Sequence, residues 1–409
     1  MSRTDAEVIV AGHICLDIIP TIYEKQSGMD ALFVPGKLVD IGPAVISTGG
    51  AVSNTGIALH RLGSRVKMMG KVGDDQFGNA ILTVLRQHGS TLADGMIVSQ
   101  NEHSSYSIVI SPPHVDRTFL HSTGANDTYS AADLSPEQLE GARLFHFGYP
   151  PLMRKMYENN GAELALLLKK AKDSGLTVSL DLAKPDPESD AGKADWRAIF
   201  EQTLPYVDVF MPSFEEILYM LERERYHQLL KEAPSGDLLP YASGTLLSDL
   251  SDQLLKMGAA IVALKLGEHG FYVRTTSDEG RLSAMGLCAP APELRANWLN
   301  CEFITSCYEV VVKGTTGAGD CTIAGFLYGF MQGLPMEETL HAAVAVGAFN
   351  VEQADATSGI PHWSDVLSRI GRGWAKREMK LEITDWTLNE QQLWVGPHHK
   401  LQETGRDAG

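Results

Sequence analysis

The sequence predicts an α/β protein with a doubly wound, mostly parallel sheet that has helices on both faces. Short apolar runs rich in Val and Ile end in turn residues, which is typical of buried parallel strands. These runs are "AEVIVAG" (6–12), "LTVSLDLA" (176–183), "VDVFMPS" (207–213) and "AAIVALKLG" (259–267). Helical stretches such as "GAELALLLKKAKDSG" (161–175) lie between them. Because strands alternate with helices, we expect a parallel sheet that is covered on both sides.

The composition indicates a folded protein that does not bind polyanions. Hydrophobic residues make up 44% and charged residues 21% of the 409 residues, as in ordinary globular proteins. The formal charge of −17 disfavours nucleic acid and anionic membrane surfaces, since both are bound by clustered Lys and Arg. No apolar run approaches the length of a membrane span. We therefore expect neither nucleic acid nor membrane among the partners.

The cysteines and histidines predict no metal site. The five cysteines are scattered and form no pair of CxxC units, so reduced thiols are favoured over a disulfide framework or a zinc site. They are Cys15, Cys288, Cys301, Cys307 and Cys321. Histidines near apolar runs, such as His13, His60 and His146, are expected to be core or cap residues. The N-terminal stretch is interpreted as a first strand and not as a leader, which favours a cytoplasmic protein.

Two segments, 17–47 and 96–124, break the alternation of strands and helices. The second contains "SSYSIVIS" (104–111), whose polar and apolar residues alternate. Alternation of this kind is typical of a strand that is exposed on one face. We predict that the two segments form a small β sheet that projects from the main domain as a lid.

Three further segments fall outside the core pattern. Residues 222–250 and 276–310 are interpreted as insertions or long connections. Residues 373–409 are interpreted as an extension beyond the core.

The stretch "STGGAVSNTGIALHRLG" (47–63) is the first candidate for ligand binding. Gly49 and Gly50 let the backbone approach a ligand closely, and Asn54 offers a donor and acceptors to a molecule rich in hydroxyl groups. The alternative is a tight strand-to-helix turn that needs no ligand. This element alone leaves both interpretations open.

The stretch "VVVKGTTGAGD" (310–320), followed by the predicted helix "CTIAGFLYGFMQG", has the richest chemistry. Free N–H groups and the dipole at a helix start form an anion site. The loop carries the acid Asp320 where the Walker loop has a lysine, and the sequence has no dinucleotide fingerprint after its first strand. For this loop alone, a helix N-cap is the favoured explanation of Asp320.

These two stretches, together with "VGDDQFG" (72–78) between them, resemble the ribokinase-like, or PfkB-type, carbohydrate kinases in order and spacing. The resemblance covers about residues 6 to 370. It implies a kinase domain at 1–372 and an extension at 373–409, with a small β lid over the sugar that often also forms a homodimer interface. It further implies transfer of the γ-phosphoryl group of ATP, with Mg²⁺, to a primary alcohol of a sugar or nucleoside.

The resemblance also assigns roles to residues. Asp320 falls on the catalytic base, and the backbone of Gly317, Ala318 and Gly319 falls on the anion hole. The matching substrate positions are Asp17, Gly49, Gly50, Asn54 and the weaker candidate Asn126. The matching nucleotide positions are Lys265, Gly267, Thr316 and Asn350. Glu216, in "MPSFEE" (211–216), falls on the acid of the magnesium motif.

Three positions depart from the family pattern. Ala51 stands where ribokinases proper have a lysine, which argues against ribose as the substrate. Ser213 replaces the asparagine of the magnesium motif. Gly314 replaces an acid that is common in members activated by potassium, so the resemblance leaves a monovalent cation open.

Two alternatives to a sugar kinase remain at this point. One is a nucleoside kinase on the same fold, for which the sequence identifies no aromatic platform. The other is a catalytically silent regulator that binds a sugar or nucleotide, suggested by Ser213, Gly314 and the C-terminal extension. The intact "GAGD" (317–320) favours an active kinase.

Overall fold

The protein is built around a ten-stranded mixed sheet. A computed structural model describes residues 7–24, 28–113 and 117–399. The strands of all sheets are β1 (Val8–Gly12), β2 (Cys15–Pro20), β3 (Ala44–Gly49), β4 (Val66–Met69), β5 (Lys71–Gly73), β6 (Ile97–Ser99), β7 (Tyr106–Ile110), β8 (Thr118–Ser122), β9 (Leu144–Gly148), β10 (Thr177–Asp181), β11 (Val209–Phe210), β12 (Ile261–Lys265), β13 (Phe271–Thr275), β14 (Glu302–Thr305), β15 (Thr387–Leu388) and β16 (Trp394–Val395).

The order of the main sheet is β15-β16-β14-β13-β12-β11-β10-β9-β1-β4. The strands from β4 to β12 in this order run parallel, and the remaining pairs are antiparallel. The carboxyl ends of β1, β9, β10, β11 and β12 therefore meet at one edge of the sheet. Strand order reverses around β1, which is where doubly wound sheets bind ligands.

Helices cover both faces of this sheet. In β1, Val8 and Val10 belong to one hydrophobic cluster, whereas Ile9 and Ala11 belong to the other, because successive side chains of a strand point to opposite faces. The helices are α1 (Met29–Leu32), α2 (Ala51–Leu62), α3 (Gln76–His88), α4 (Pro136–Leu139), α5 (Arg154–Tyr157), α6 (Ala162–Asp173), α7 (Asp190–Lys193), α8 (Trp196–Thr203), α9 (Phe214–Leu221), α10 (Arg223–Glu232), α11 (Gly244–Lys256), α12 (Glu279–Ser283), α13 (Arg295–Trp298), α14 (Ala318–Met331), α15 (Met336–Val351) and α16 (Trp363–Gly371).

A separate four-stranded sheet has the order β3-β2-β7-β8 and is called the small sheet below. It draws its strands from the two segments that break the alternation of strands and helices. The predicted fold class, a doubly wound mostly parallel sheet with a small additional β sheet, is confirmed.

The two faces of the small sheet differ in polarity. Cross-strand partners share a face, so Ser47, Asp17, Ser107 and His121 form one row across all four strands, called the polar row. The adjacent register places a row of four apolar residues on the opposite face. This apolar row consists of Ile46, Ile18, Ile108 and Leu120.

The segments that were interpreted as insertions and extension take part in the main domain. Residues 222–250 contain α10 and the start of α11, and residues 276–310 contain β14. The C-terminal segment adds β15 and β16 to the sheet, and its Leu393 is fully buried. Among the described residues, none of the helices combines the length and the apolar character that crossing a membrane would require.

Candidate active site

A cavity of ≈ 590 Å³ opens at the carboxyl edge of the parallel strands. Tyr149 follows β9, Leu182 follows β10, Ser213 follows β11 and Lys265 ends β12, and all four line the cavity. The first turn of α14, including Asp320, closes its floor. Three of these four parallel strands therefore deliver a polar or charged side chain to a single site.

Asp320 is held by side chains from three other positions. Asn54 Nδ2 donates to its Oδ2 at 3.0 Å, and the hydroxyl of Thr55 lies 3.5 Å from its Oδ1. The phenolic oxygen of Tyr149 lies 2.9 Å from each carboxylate oxygen. Asp320 is the third residue of α14, and the N-cap position is occupied by Gly317 with φ of 73°. The N-cap explanation for Asp320 is therefore wrong.

The surroundings of Asp320 act on its pKa in opposite directions. Burial raises the pKa, and the hydrogen bond from Asn54, the charge of Lys265 and the hydrogen bond from Tyr149 lower it, with a net rise. A carboxylate whose pKa is raised is a stronger base than a free aspartate. Asn54 Oδ1 is buried beside it and lacks a hydrogen-bond partner among the described residues.

Three acids surround one lysine in the cavity. Lys265 forms an ion pair with Asp181, which is fully buried. Burial works to lower the pKa of Lys265, but attraction to Asp181 and Glu216 outweighs it and raises the pKa. Burial raises the pKa of Asp181 to about 8, against the attraction of Lys265. The charge of Asp320 also acts on both residues.

This donor set fits a magnesium ion. Three carboxyl groups face a single ammonium group, and repulsion among them helps to raise the pKa values of Asp181 and Glu216, which a bound cation would relieve. Asp181 Oδ2 is buried and finds no hydrogen-bond partner in the part of the chain that is described. Mg²⁺ takes oxygen ligands and is usually held by one or two carboxylates together with water and phosphate oxygens.

Glu216 is positioned by the start of α9. Its Oε2 accepts a hydrogen bond from Ser213 N at 2.7 Å, and Ser213 Oγ accepts one from Glu216 N at 3.4 Å, which makes a capping box. Burial raises the pKa of Glu216, although Lys265 and the Ser213 hydrogen bonds lower it. Serine in place of the family's asparagine therefore still caps the helix and directs the glutamate.

Two glycines at the start of α14 have little room for side chains. A Cβ at Gly317 would lie 2.9 Å from both Cβ and O of Ala356, and its positive φ favours glycine. A Cβ at Gly319 would lie 3.3 Å from Cδ of Lys265. Gly317, Ala318 and Gly319 all line the cavity, with the N-terminus of a 14-residue helix behind them. This is the geometry of an anion site.

The cavity also has an apolar part of its lining. Most of these side chains come from α15 and from the segment before the glycine loop, and Gly267 lines the same cavity. The apolar lining residues are Leu239, Tyr308, Val310, Val312, Val344, Ala348 and Val351. An anion site beside an apolar slot suits a ligand that joins phosphates to a flat hydrophobic base.

The polar row of the small sheet lies next to Gly49 and Gly50. A Cβ at Gly49 would lie 2.3 Å from Asp17 Oδ2, and a Cβ at Gly50 would lie 2.5 Å from His13 Nδ1. Both positions thus require glycine if Asp17 and His13 keep their places. Burial raises the pKa of Asp17, while hydrogen bonds from Cys15 and Ser107 lower it.

Seven of the predicted site residues are absent from the lining of this cavity, namely Asp17, Gly49, Gly50, Asn54, Asn126, Asn350 and Thr316. Asn126 is fully buried and uses its amide on backbone atoms, with Nδ2 donating to the carbonyl oxygen of Ile14 at 2.9 Å. Asn350 is also buried and donates to the carbonyl oxygen of Ala356 at 2.6 Å, behind Gly317. Thr316 is partly exposed and is absent from the cavity lining, which its neighbour Thr315 joins.

The site contains residues that the sequence interpretation missed. Tyr149 and Asp181 each stand where a parallel strand ends, so the rule that ligands lie beyond strand ends pointed to them. Tyr149 also has a φ of 65°, which is uncommon for a residue other than glycine and occurs at functional sites. Arg117, before β8, donates from Nη2 to Thr315 Oγ1 at 3.0 Å and links the small sheet to the glycine loop. No sequence pattern marks it.

Comparison with known proteins agrees with this geometry. Residues 5–363 match the model of the pfkB family carbohydrate kinases. The 2-dehydro-3-deoxygluconokinase of Bacillus subtilis (strain 168) is 25% identical over 332 residues, which cover 80% of this chain and 87% of the relative.

Solved structures share the fold. Arabidopsis thaliana ribokinase complexed with ribose and ATP has a TM-score of 0.65 and 18% identity, over 89% of this chain and 98% of that one. An E. coli structure in complex with ATP and Mg²⁺ has a TM-score of 0.61 and 20% identity, over 90% of this chain and 99% of that one. Since the family model spans most of the sequence, the chain belongs to the pfkB family of carbohydrate kinases and is an ATP-dependent sugar kinase.

Proposed function

We propose that this kinase moves the γ-phosphoryl group of ATP to a primary hydroxyl of a sugar or sugar derivative, with Asp320 as the general base. The arrangement around Asp320 carries the proposal. Its buried carboxylate is oriented by Tyr149 and Asn54, and it lies in the cavity lining directly after the anion site at the start of α14. A carboxylate in that position can reach an alcohol on one side and face a phosphoryl group on the other.

In this mechanism Asp320 accepts the proton of the attacking hydroxyl. Tyr149 and Asn54 fix the direction of its lone pairs, and Asn54 Oδ1 is free to accept a hydrogen bond from the sugar. The backbone N–H groups of Gly317, Ala318 and Gly319 stabilise the negative charge on the transferring group, as preorganised donors do in phosphoryl transfer. Positioning by these groups supplies most of the catalysis, since little covalent work is needed.

Mg²⁺ would be held through Glu216 and Asp181 and would neutralise phosphate charge when bound. Lys265, which lies against Gly319, supplies a fixed positive charge at the same place. The apolar slot and Gly267 would hold the base of ATP. Asn350 acts indirectly in this proposal, because it supports the Ala356 backbone that packs on Gly317. Thr316 is likewise given no direct contact with the nucleotide.

The polar row would hold the sugar. Asp17, Ser47, Ser107 and His121 present hydroxyl, carboxylate and imidazole groups on one face of the small sheet. Such side chains pair with sugar hydroxyls and reject analogues that lack them. Asn126 supports this sheet by fixing the backbone at Ile14. The matching curated relatives include a 2-dehydro-3-deoxygluconokinase and fructokinases, so a sugar is favoured over a nucleoside.

We also propose that a second copy of the chain packs on the small sheet. Ile46 and Leu120, at the two ends of the apolar row, are 47% and 48% exposed. A continuous exposed apolar surface of this kind is typical of an interface. Leu120→Lys should shift the mass in light scattering from dimer to monomer. Leu388→Lys, at a position that is 48% exposed on β15, is the matched control and should leave the mass unchanged.

A substrate panel tests the proposed reaction. Purified protein with MgATP would be assayed for ADP release with hexoses, pentoses, 2-keto-3-deoxy sugar acids, sugar phosphates and nucleosides. We expect sustained turnover with one class of sugar or sugar acid. Turnover confined to nucleosides would mean that the acceptor is a nucleoside and not a sugar. The absence of turnover with every class would contradict the proposed reaction.

A further inference from the structure

His13, Cys15 and His121 meet where the small sheet joins the main domain. His13 follows β1 and is buried, Cys15 begins β2 and is buried, and His121 lies on β8 and is more exposed. One ligand atom from each lies within 4.8 Å of the others. We propose that these three side chains form a binding site for Zn²⁺ or a similar transition-metal ion. The bound ion would occupy the sugar-binding face and inhibit the enzyme.

The donor atoms suit this class of metal. Imidazole nitrogen and thiolate sulfur are the ligands that Zn²⁺ prefers, whereas Mg²⁺ and Ca²⁺ prefer oxygen. His13 Nε2 and His121 Nε2 are 3.2 Å apart. Two nitrogens that bind one tetrahedral zinc at about 2.0–2.1 Å would be separated by roughly 3.3–3.4 Å. The two imidazoles are therefore already spaced as ligands of a common ion.

The surrounding residues prepare the ligands. Ser107 Oγ lies 3.0 Å from His121 Nδ1, which leaves Nε2 of that ring directed at His13. A hydrogen bond to the second ring nitrogen is the usual way in which proteins orient a metal-binding histidine. Cys15 lies two residues before Asp17 on β2, so both side chains are on the face of the polar row. Asp17 Oδ1 lies 3.4 Å from Cys15 Sγ and is within reach as a fourth donor.

The separation of the ligands along the chain explains why cysteine and histidine spacing predicted no such site. His13 and Cys15 are close in sequence, but His121 comes from the second segment of the small sheet. Cross-strand pairing of β2 with β7 and of β7 with β8 brings it to Asp17. A metal ion bound here would also tie the small sheet to the main domain.

The inhibitory effect rests on the proposed function, since it requires the polar row to hold the sugar. Asp17 and His121 belong to that row, so a metal bound beside them would exclude sugar hydroxyls. The inhibition should therefore be competitive with the sugar and not with ATP. Added sugar should in turn weaken metal binding, because the effect of one ligand on the other is reciprocal.

Metal binding can be measured without any activity. Full-length protein stripped of metal would be titrated with ZnCl2 against a chromophoric chelator, and separately with CoCl2 while absorption is recorded. We expect one ion per chain and, with Co²⁺, a thiolate charge-transfer band. Cys15→Ser keeps the size of the side chain and should abolish the band. It should weaken Zn²⁺ binding by at least about 100-fold, since even an outer-shell partner is worth 10- to 100-fold.

The controls separate this site from adventitious binding. His121→Ala should weaken Zn²⁺ binding as Cys15→Ser does. His103→Ala, which removes a 95% exposed imidazole, and Cys288→Ser, which removes a buried thiol elsewhere, should bind Zn²⁺ like the wild type. Equal Zn²⁺ affinity in the wild type and Cys15→Ser, or a Co²⁺ complex without the charge-transfer band, would overturn the metal site. Tight binding without competition against the sugar would overturn only its inhibitory role.

Discussion

The phenolic oxygen of Tyr149 lies 2.9 Å from each carboxylate oxygen of Asp320, so a single O–H proton is shared between the two. This contact joins the end of β9 to the start of α14. The hydrogen bond favours the ionised form of Asp320 and lowers its pKa, against the larger effect of burial, which raises it.

Tyr149→Phe should shift the pH dependence of the reaction. Asp320 can accept a proton only when it is ionised, so kcat/KM falls as the pH drops through its pKa. Loss of the phenol removes a group that lowers this pKa, so the acid limb of the profile should move to higher pH. On the plateau, kcat should fall by no more than about tenfold, or roughly 1.4 kcal/mol, because the Asn54 hydrogen bond remains. Tyr206→Phe serves as the control, and an unmoved acid limb would contradict the assignment.

Asp320→Asn should remove the general base while keeping the shape of the site. We expect kcat to fall by about 10²- to 10⁴-fold, the usual value of general-base assistance. Thermal unfolding and ATP binding would verify that the variant is folded and competent. The control is Asp94→Asn, at an exposed aspartate that is distant from Asp320 in the sequence. A folded Asp320→Asn enzyme within a few-fold of wild-type turnover would exclude Asp320 as the base.

Glu216→Gln tests the proposed magnesium site. Glutamine can still accept the hydrogen bond from Ser213 N, so the capping box and the fold should persist. The Mg²⁺ concentration that gives half-maximal activity should rise about tenfold or more, because one carboxylate charge is lost. Glu215→Gln is a close control, since Glu215 pairs instead with Lys184 at 3.1 Å. If both variants require the same Mg²⁺ concentration, Glu216 is only a capping residue.

Leu393→Ala tests whether the C-terminal segment belongs to the cooperative core. Leu393 is fully buried, so truncation should lower the free energy of unfolding by about 2–5 kcal/mol. Leu388→Ala, at a position that is 48% exposed, should change it by less than about 0.5 kcal/mol. Denaturant melts of the two variants provide the comparison. Equal stabilities would mean that residues 373–399 are a separate appendage, as the sequence first indicated.

The sequence was sufficient to predict part of the main sheet because buried parallel strands have a strong local signature. The runs at 6–12, 176–183 and 259–267 each became a strand, and the alternating stretch at 104–111 became β7. Propensity and periodicity act over a few residues, and a strand buried on both faces needs little else to be recognised. The glycine loop before α14 was recognisable for a similar reason, since small residues before a helix have few other uses.

The assembly of the site depends on pairings that no local pattern contains. Tyr149 reaches Asp320 across 171 positions, and Lys265 reaches Asp181 across 84. The register of three strands, β2, β7 and β8, decides that Asp17 and His121 share a face. Strands β15 and β16 have two residues each and are too short to show any periodicity, so the edge of the main sheet was missed.

The position of β15 and β16 has a consequence for biosynthesis. Strand β14 pairs with β16, whose residues lie about 90 positions later in the chain. During translation, every other strand of the main sheet emerges before the edge of β14 can be covered. An uncovered strand edge invites pairing with other chains. The nascent protein should therefore be most prone to aggregate after β14 has emerged and before β16 has, and slowed translation of the residues between them would prolong that exposure.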